Sequence, residues 1–171
     1  RNFVKNSNFA KGSAYWPLNW VTSISDTILH NGHKSLRISA SGQENYRWFG
    51  CSQTVLRNVQ PNTTITVSCW YYVEDKSTFD DTFGFELKGK IGELDRVFIG
   101  VPTYSNQMEN GVWKKIVATG TTDCHWDSLY IYPWVAKNGT VYVTDLKVEL
   151  GNKATDWTPA PEDIDSGRSG F

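Results

Sequence analysis

Apolar and polar residues alternate with period two along nearly the whole chain, and the apolar positions are rich in β-branched and aromatic side chains. Strands are predicted over 2–9, 19–29, 34–40, 46–57, 63–73, 82–89, 94–102, 112–121, 126–134 and 140–150. Turn signals punctuate them at His30-Asn31-Gly32, Gln60-Pro61-Asn62, Asn110-Gly111 and Asn138-Gly139. No window carries convincing helical periodicity. About ten short strands at this spacing predict an all-β protein, a two-sheet antiparallel β-sandwich or a barrel. From Gly151 onward the alternation gives way to loop composition, with Pro159, Pro161 and the polar run Asp165–Gly170. A module over 1–151 and a C-terminal tail or linker over 152–171 are therefore expected.

Parity within each strand sorts side chains to the two faces of a sheet. In 63–73, Ile65, Val67, Cys69, Tyr71 and Val73 share a core parity, leaving Thr66, Ser68, Trp70 and Tyr72 opposite. In 126–134, Leu129, Ile131 and Pro133 alternate with Trp126, Ser128, Tyr130, Tyr132 and Trp134. In 46–57, Cys51 and Val55 mark the core side and leave Tyr46, Trp48, Ser52 and Thr54 on the other. Trp48, Trp70, Tyr72, Tyr130, Tyr132 and Trp134 are thus expected to point away from the aliphatic core. Aromatic planes can stack on the apolar C–H patches of sugar rings while polar neighbours take the hydroxyls. Arg47 and Glu86 are the candidate polar partners, with Glu44, Asn45, Lys88 and Asp127 also within sequence reach. The competing reading is that cross-strand aromatic pairs simply stabilise a solvated face. Trp113 and Trp157 stand at segment ends and read as core or edge packing.

Composition sharpens this picture. Eight Trp exceed what one core of this size needs, so some should be exposed. A chain of 171 residues can bury a core without covalent staples. The net charge of −1, with scattered Lys and Arg, argues against nucleic acid and anionic membrane as partners. No apolar run is long enough to span a bilayer, and the opening Arg1-Asn2-Phe3 has no signal-peptide pattern; an excised soluble piece is expected. Cys51, Cys69 and Cys124 are odd in number and lack metal-ligand spacing. A hairpin centred near Gln60 would place Cys51 and Cys69 across neighbouring strands, both facing the core as reduced thiols, with a cross-strand disulfide as the alternative. His30, His33 and His125 form no metal-protease motif, and there is neither a nucleophile elbow nor a phosphate loop. Asp80, Asp81, Glu86, Glu93 and Asp95 read as loop solvation or calcium ligands rather than a glycosidase pair. No catalysis is expected.

The order of several short segments carries a family likeness. Asn6-Ser7-Asn8-Phe9 followed by Gly12 and Trp20, Gly32-His33-Lys34-Ser35-Leu36-Arg37-Ile38, Gln53-Thr54-Val55 with Thr64–Ser68, Trp113-Lys114-Lys115 and Val141–Glu149 together resemble jelly-roll carbohydrate-binding modules of the 4/9/22 type, over residues 3–151. The ending Leu150–Asp163 resembles the close of such modules in tail proteins of phages infecting Gram-positive bacteria, including evolved distal tail proteins. The resemblance implies a jelly roll in a virion tail, adhering to host cell-wall saccharide without bond cleavage and partnered by its parent tail assembly. It also implies a structural calcium held by the Asp145 side chain with carbonyls near Asn8 and Lys34; Ala10 stands where the family has an acidic ligand, which removes a charge from that site. No cofactor is otherwise required. The alternatives are a structural or assembly domain of a tail contacting another protein, an accessory binding module of a glycoside hydrolase, or a site in the loops 44–48 and 103–111.

Overall fold

The computed structural model describes residues 1–164. Ten strands form two antiparallel sheets packed face to face in a jelly-roll sandwich. Sheet A runs in the order β1 (Thr22–His30), β2 (His33–Ala40), β10 (Gly139–Leu150), β5 (Thr64–Tyr72) and β8 (Lys114–Thr121). Sheet B pairs β9 (Trp126–Ala136) with β6 (Thr82–Ile91), which pairs in turn with β7 (Leu94–Tyr104). Along its other edge β9 takes β3 (Trp48–Gly50) and β4 (Gln53–Val59). Helix among the described residues is confined to three-residue 3₁₀ turns.

The core is the parity set. Ile65, Val67 and Cys69 of β5 and Val141, Val143, Leu146 and Val148 of β10 face Phe83, Phe85 and Leu87 of β6 and Leu129, Ile131 and Val135 of β9, all fully buried. Each such aliphatic or Phe side chain contributes about 1.5–3 kcal/mol by leaving water. The β1–β2 hairpin closes through Asn31 (φ 50°) and Gly32 (φ 80°), the left-handed pair that suits the twist of a tight hairpin.

Four expectations are corrected. Residues 2–9 form no strand: the Asn2 side chain takes the Val148 N–H and donates to the Leu146 carbonyl, so a side chain does part of a ladder's work at the β10 edge. The segment 46–57 is two strands, broken at Cys51-Ser52 opposite Tyr132-Pro133. Pro133 has no N–H to give a ladder, and an added Cβ at Gly50 would sit 2.0 Å from the Pro133 carbonyl oxygen, so the strand parts there. Gln60-Pro61-Asn62 does not close a hairpin but crosses from β4 in sheet B to β5 in sheet A. Cys51, in the break between β3 and β4 of sheet B, and Cys69, on β5 of sheet A, are therefore both buried but not on neighbouring strands; all three thiols are free. Finally, Trp126 shares the outward parity but is 1% exposed, tucked against Phe98.

The segment 152–164 has no strand, as its loop composition suggested, yet it is packed as part of the module. Lys147 Nζ donates to Thr155 Oγ1 and to the Asp156 carbonyl, both at 2.7 Å, and Asn2 Nδ2 donates to the Thr158 carbonyl. Glu162 pairs with Arg1 at 2.7 Å and Asp163 accepts from the Asn6 N–H, bringing the two ends of the described chain together. The rest of the expected linker, 165–171, lies outside the described residues.

Candidate saccharide groove

The outer face of sheet B holds an aromatic row. Tyr130, Tyr132 and Trp134 alternate outward along β9, opposite Lys88, Glu86 and Gly84 of β6. Trp48 of β3, 58% exposed, stands beyond them at the sheet margin. Two hollows lie over this row. One, of about 410 Å³, is lined by Pro17, Asn19, Gly50–Ser52, Lys88, Tyr130 and Tyr132; the other, of about 450 Å³, by Trp48, Glu86, Lys88, Val97, Tyr132 and Trp134. Lys88 and Tyr132 line both, so the hollows adjoin as one open groove across the strands.

The break at Cys51-Ser52 shapes one end of the groove. The N-terminal loop reaches it through Asn19, whose Nδ2 donates to the Gly50 carbonyl at 2.8 Å, and so sets Pro17 and Asn19 as a wall. Trp134 lies flat: a Cβ at Gly84 would fall 2.0 Å from its ring, so the indole rests on bare β6 backbone and only 6% of the residue is exposed. It points away from the aliphatic core as parity predicts, as a largely covered lining of the groove.

The polar groups are placed between rings. Burial raises the Glu86 carboxyl above its ordinary range, against the pull of the Trp134 indole and the Lys88 charge. Lys88 Nζ stands 5.8 Å from the centroids of both Tyr130 and Tyr132. The Tyr130 hydroxyl donates to Asp95 Oδ1 at 2.8 Å, fixing that ring; burial first, and then this bond, raise its phenol. Burial and the Glu86 charge raise Tyr132 likewise. Cys51, at the groove floor, is pushed up to about 12 by burial and stays a thiol. The groove thus offers aromatic faces, one carboxyl and one ammonium, which suits a polyhydroxylated chain.

The other two aromatics of the expected set lie elsewhere. Trp70 and Tyr72 are on β5, in sheet A, and face the opposite side of the sandwich. Trp70 stacks on His30 at 4.5 Å, and Tyr72 packs on Trp113 at 5.4 Å. Arg47 does not line the groove; its guanidinium lies 5.9 Å from the Phe49 ring. Pro17, Asn19 and Val97 line it without having been anticipated.

A calcium between Asp145, Asn8 and Lys34 does not fit the side chains present. Both Asp145 oxygens are taken by imidazoles, His30 Nδ1 at 2.7 Å and His33 Nδ1 at 2.6 Å. The Lys34 carbonyl accepts the Thr144 hydroxyl at 2.6 Å, and Asn8 Oδ1 accepts the Ala10 N–H at 3.1 Å. A hard cation takes six to eight oxygens and gains affinity from carboxylates; Asp145 is the one carboxylate among the three expected ligands, and both of its oxygens are engaged by imidazoles.

The carbohydrate binding domain family CBM_4_9 matches residues 1–140. The chain belongs to this family. No curated protein matches this carbohydrate-binding domain. Solved structures share its fold: a family 16 carbohydrate-binding module, at 14% identity and TM-score 0.66, covers 86% of this chain and 99% of its own. The CBM22-2 xylan-binding domain of Paenibacillus barcinonensis Xyn10C, at 17% identity and TM-score 0.62, covers 85% and 98%. The enzymatically active domain of tailspike protein 4 from bacteriophage CBA120 is similar at 12% identity and TM-score 0.62, over 88% of this chain but 21% of the tailspike chain.

Proposed function

We propose that this carbohydrate-binding domain is a non-catalytic adhesion module of a phage tail, holding host cell-wall polysaccharide in the groove of sheet B. The observation that carries the reading is the row Tyr130, Tyr132 and Trp134, flanked by Trp48 and interleaved with Glu86 and Lys88 over two adjoining hollows. A groove open at the sheet surface admits the interior of a chain and not only its end. Its polar groups stand between the rings, as hydroxyl-bearing ligands require, whereas a protein-docking face would be flatter and more continuously apolar. Among the described residues Glu86 is the only carboxyl lining either hollow, whereas glycoside cleavage calls for a pair. Binding needs no cofactor. Family membership supports saccharide as the partner, and the tail context rests on the resemblance of the C-terminal segment together with the likeness to a phage tailspike.

The test is a fluorescent fusion of the whole chain, applied to protein-stripped cell walls from a panel of Gram-positive bacteria. The proposal expects labelling of some walls, competed by their solubilised polysaccharide and lost in Tyr132→Ala. Absence of labelling across the panel, together with binding to plant xylan or cellulose, would replace phage adhesion by the accessory-module reading.

A further inference from the structure

A third hollow, of about 300 Å³, lies on the outer face of sheet A, across the sandwich from the groove. It is built rather than incidental. Asp145 sits where the β10 register shifts, with φ 51°, a left-handed conformation costly for a residue with a Cβ, and it is 3% exposed. Its two oxygens hold His30 and His33 by Nδ1, and because a carboxylate only accepts, each Nδ1 carries the shared proton. That leaves each Nε2 on the ring edge away from Asp145. His30 is further fixed between Trp70 at 4.5 Å and Trp113 at 5.1 Å, and His33 lies 4.8 Å from Trp157. Trp157 is locked in turn by donation to Ser7 Oγ at 3.0 Å, and its neighbour Asp156 by Lys147. Lys115, Asp156 and the turn residue Asn31 complete the lining from exposed positions.

We propose that this hollow is a second saccharide site, taking one pyranose unit such as a chain end or side branch. Three features select that ligand. The volume is at the lower limit of small-molecule sites, roughly 300–1,000 Å³, and smaller than either half of the groove. Indole faces from Trp70 and Trp157 meet imidazole, ammonium and amide groups, the mixture that a ring with an apolar face and hydroxyl edge requires. One ammonium and one exposed carboxylate balance each other at the rim, which disfavours both a phosphate and a quaternary ammonium. The rings are already immobilised, so binding loses little side-chain entropy. With two sites on opposite faces, the module would engage two glycan branches or chains at once and gain avidity. The inference rests on the carbohydrate-binding reading for its ligand class, but not on the groove.

The test is ¹H–¹⁵N NMR of the full chain, including Trp indole N–H resonances. Methyl glycosides of glucose, galactose, xylose and N-acetylglucosamine, choline chloride and inorganic phosphate are titrated separately up to tens of millimolar. Wild type is compared with the groove-disabled Trp48→Ala/Tyr132→Ala variant. A glycoside is expected to shift the Trp70 and Trp157 indoles and the Asn31 and His33 amides saturably in both proteins. Asn31→Gly/Lys115→Ala should weaken that binding by about tenfold or more with the melting temperature nearly unchanged, since both side chains are exposed and glycine accepts the left-handed turn position of Asn31. Shifts confined to groove residues, shifts of this cluster by choline or phosphate alone, or no shift of the cluster by any probe would overturn the second site. Shifts of the cluster without shifts in the groove would instead uphold it and count against the groove.

Discussion

Gly84→Ala tests the construction of the groove in one methyl group. The added Cβ would fall 2.0–2.5 Å from three atoms of the Trp134 ring, far inside contact distance, with β6 backbone on one side and the indole on the other. Overpacking of this kind costs about 1–3 kcal/mol. Replacing a strand glycine by alanine returns about 0.5–1 kcal/mol of unfolded-state entropy. With three ring atoms inside contact distance the upper half of that overpacking range applies, and the net expectation is a loss of about 1–2.5 kcal/mol in denaturant unfolding, with greater solvent quenching of indole fluorescence as Trp134 lifts from the sheet. In a Trp134→Val background the clash is gone and only the entropic gain remains, so the same Gly84→Ala change should become neutral or stabilising. That sign reversal in a double-mutant cycle is the signature. Gly84→Ala that leaves wild-type stability unchanged, or costs the same in both backgrounds, would refute the placement of Trp134 flat on β6.

Further outcomes follow from the polar groups. Because burial raises Glu86 in the folded state, the folded protein binds more protons than the unfolded chain between the two pKa values; stability from this group falls as pH rises through that window. Glu86→Gln should flatten this slope and raise stability at neutral pH, measured by urea unfolding across pH 4–8; an unchanged slope would contradict it. Asp145→Ala leaves two imidazoles without their acceptor and keeps a Cβ at φ 51°, and should cost about 2 kcal/mol or more, whereas Asp145→Gly should cost about 1 kcal/mol less than Ala because it relieves the backbone. Equal losses would show that backbone strain is not part of it. Chelator and added calcium should both leave the melting temperature unchanged; a shift with either would restore a metal to the module. Thiol titration should find three free groups after denaturation, with Cys124 reacting first in the native protein because Cys51 and Cys69 are buried; fewer than three would contradict the free thiols.

The strand faces were legible in the sequence wherever strict alternation held. Ile65 to Val73 and Leu129 to Val135 point inward as parity predicts, because one buried face imposes period two. Parity measures a side chain only against its own sheet, however, and a sandwich has two outward faces. Trp70 and Tyr132 share the same outward character in sequence and stand on opposite sides of the molecule, since nothing local told that Gln60-Pro61-Asn62 changes sheets. The break at Cys51-Ser52 depended on Pro133, about eighty residues away and its neighbour only through pairing with β9. The bulge at Asp145 interrupts alternation by one residue, which keeps both Val143 and Leu146 inward and frees a carboxylate for His30 and His33. Asn19 and Pro17 joined the groove by a loop-to-strand contact that carries no periodic signal.

The central claim is that saccharide lies along Tyr130, Tyr132 and Trp134 in sheet B, and isothermal calorimetry with a wall polysaccharide that wild type binds tests it most directly. Tyr132→Ala removes the one ring common to both hollows and is compared with Tyr72→Ala, a partly buried ring on sheet A outside either proposed site, with circular dichroism confirming the fold of both. The account predicts that Tyr132→Ala weakens binding by about tenfold or more, the loss of about 1.4 kcal/mol, while Tyr72→Ala binds as wild type. A folded Tyr132→Ala that binds as tightly as wild type would contradict it.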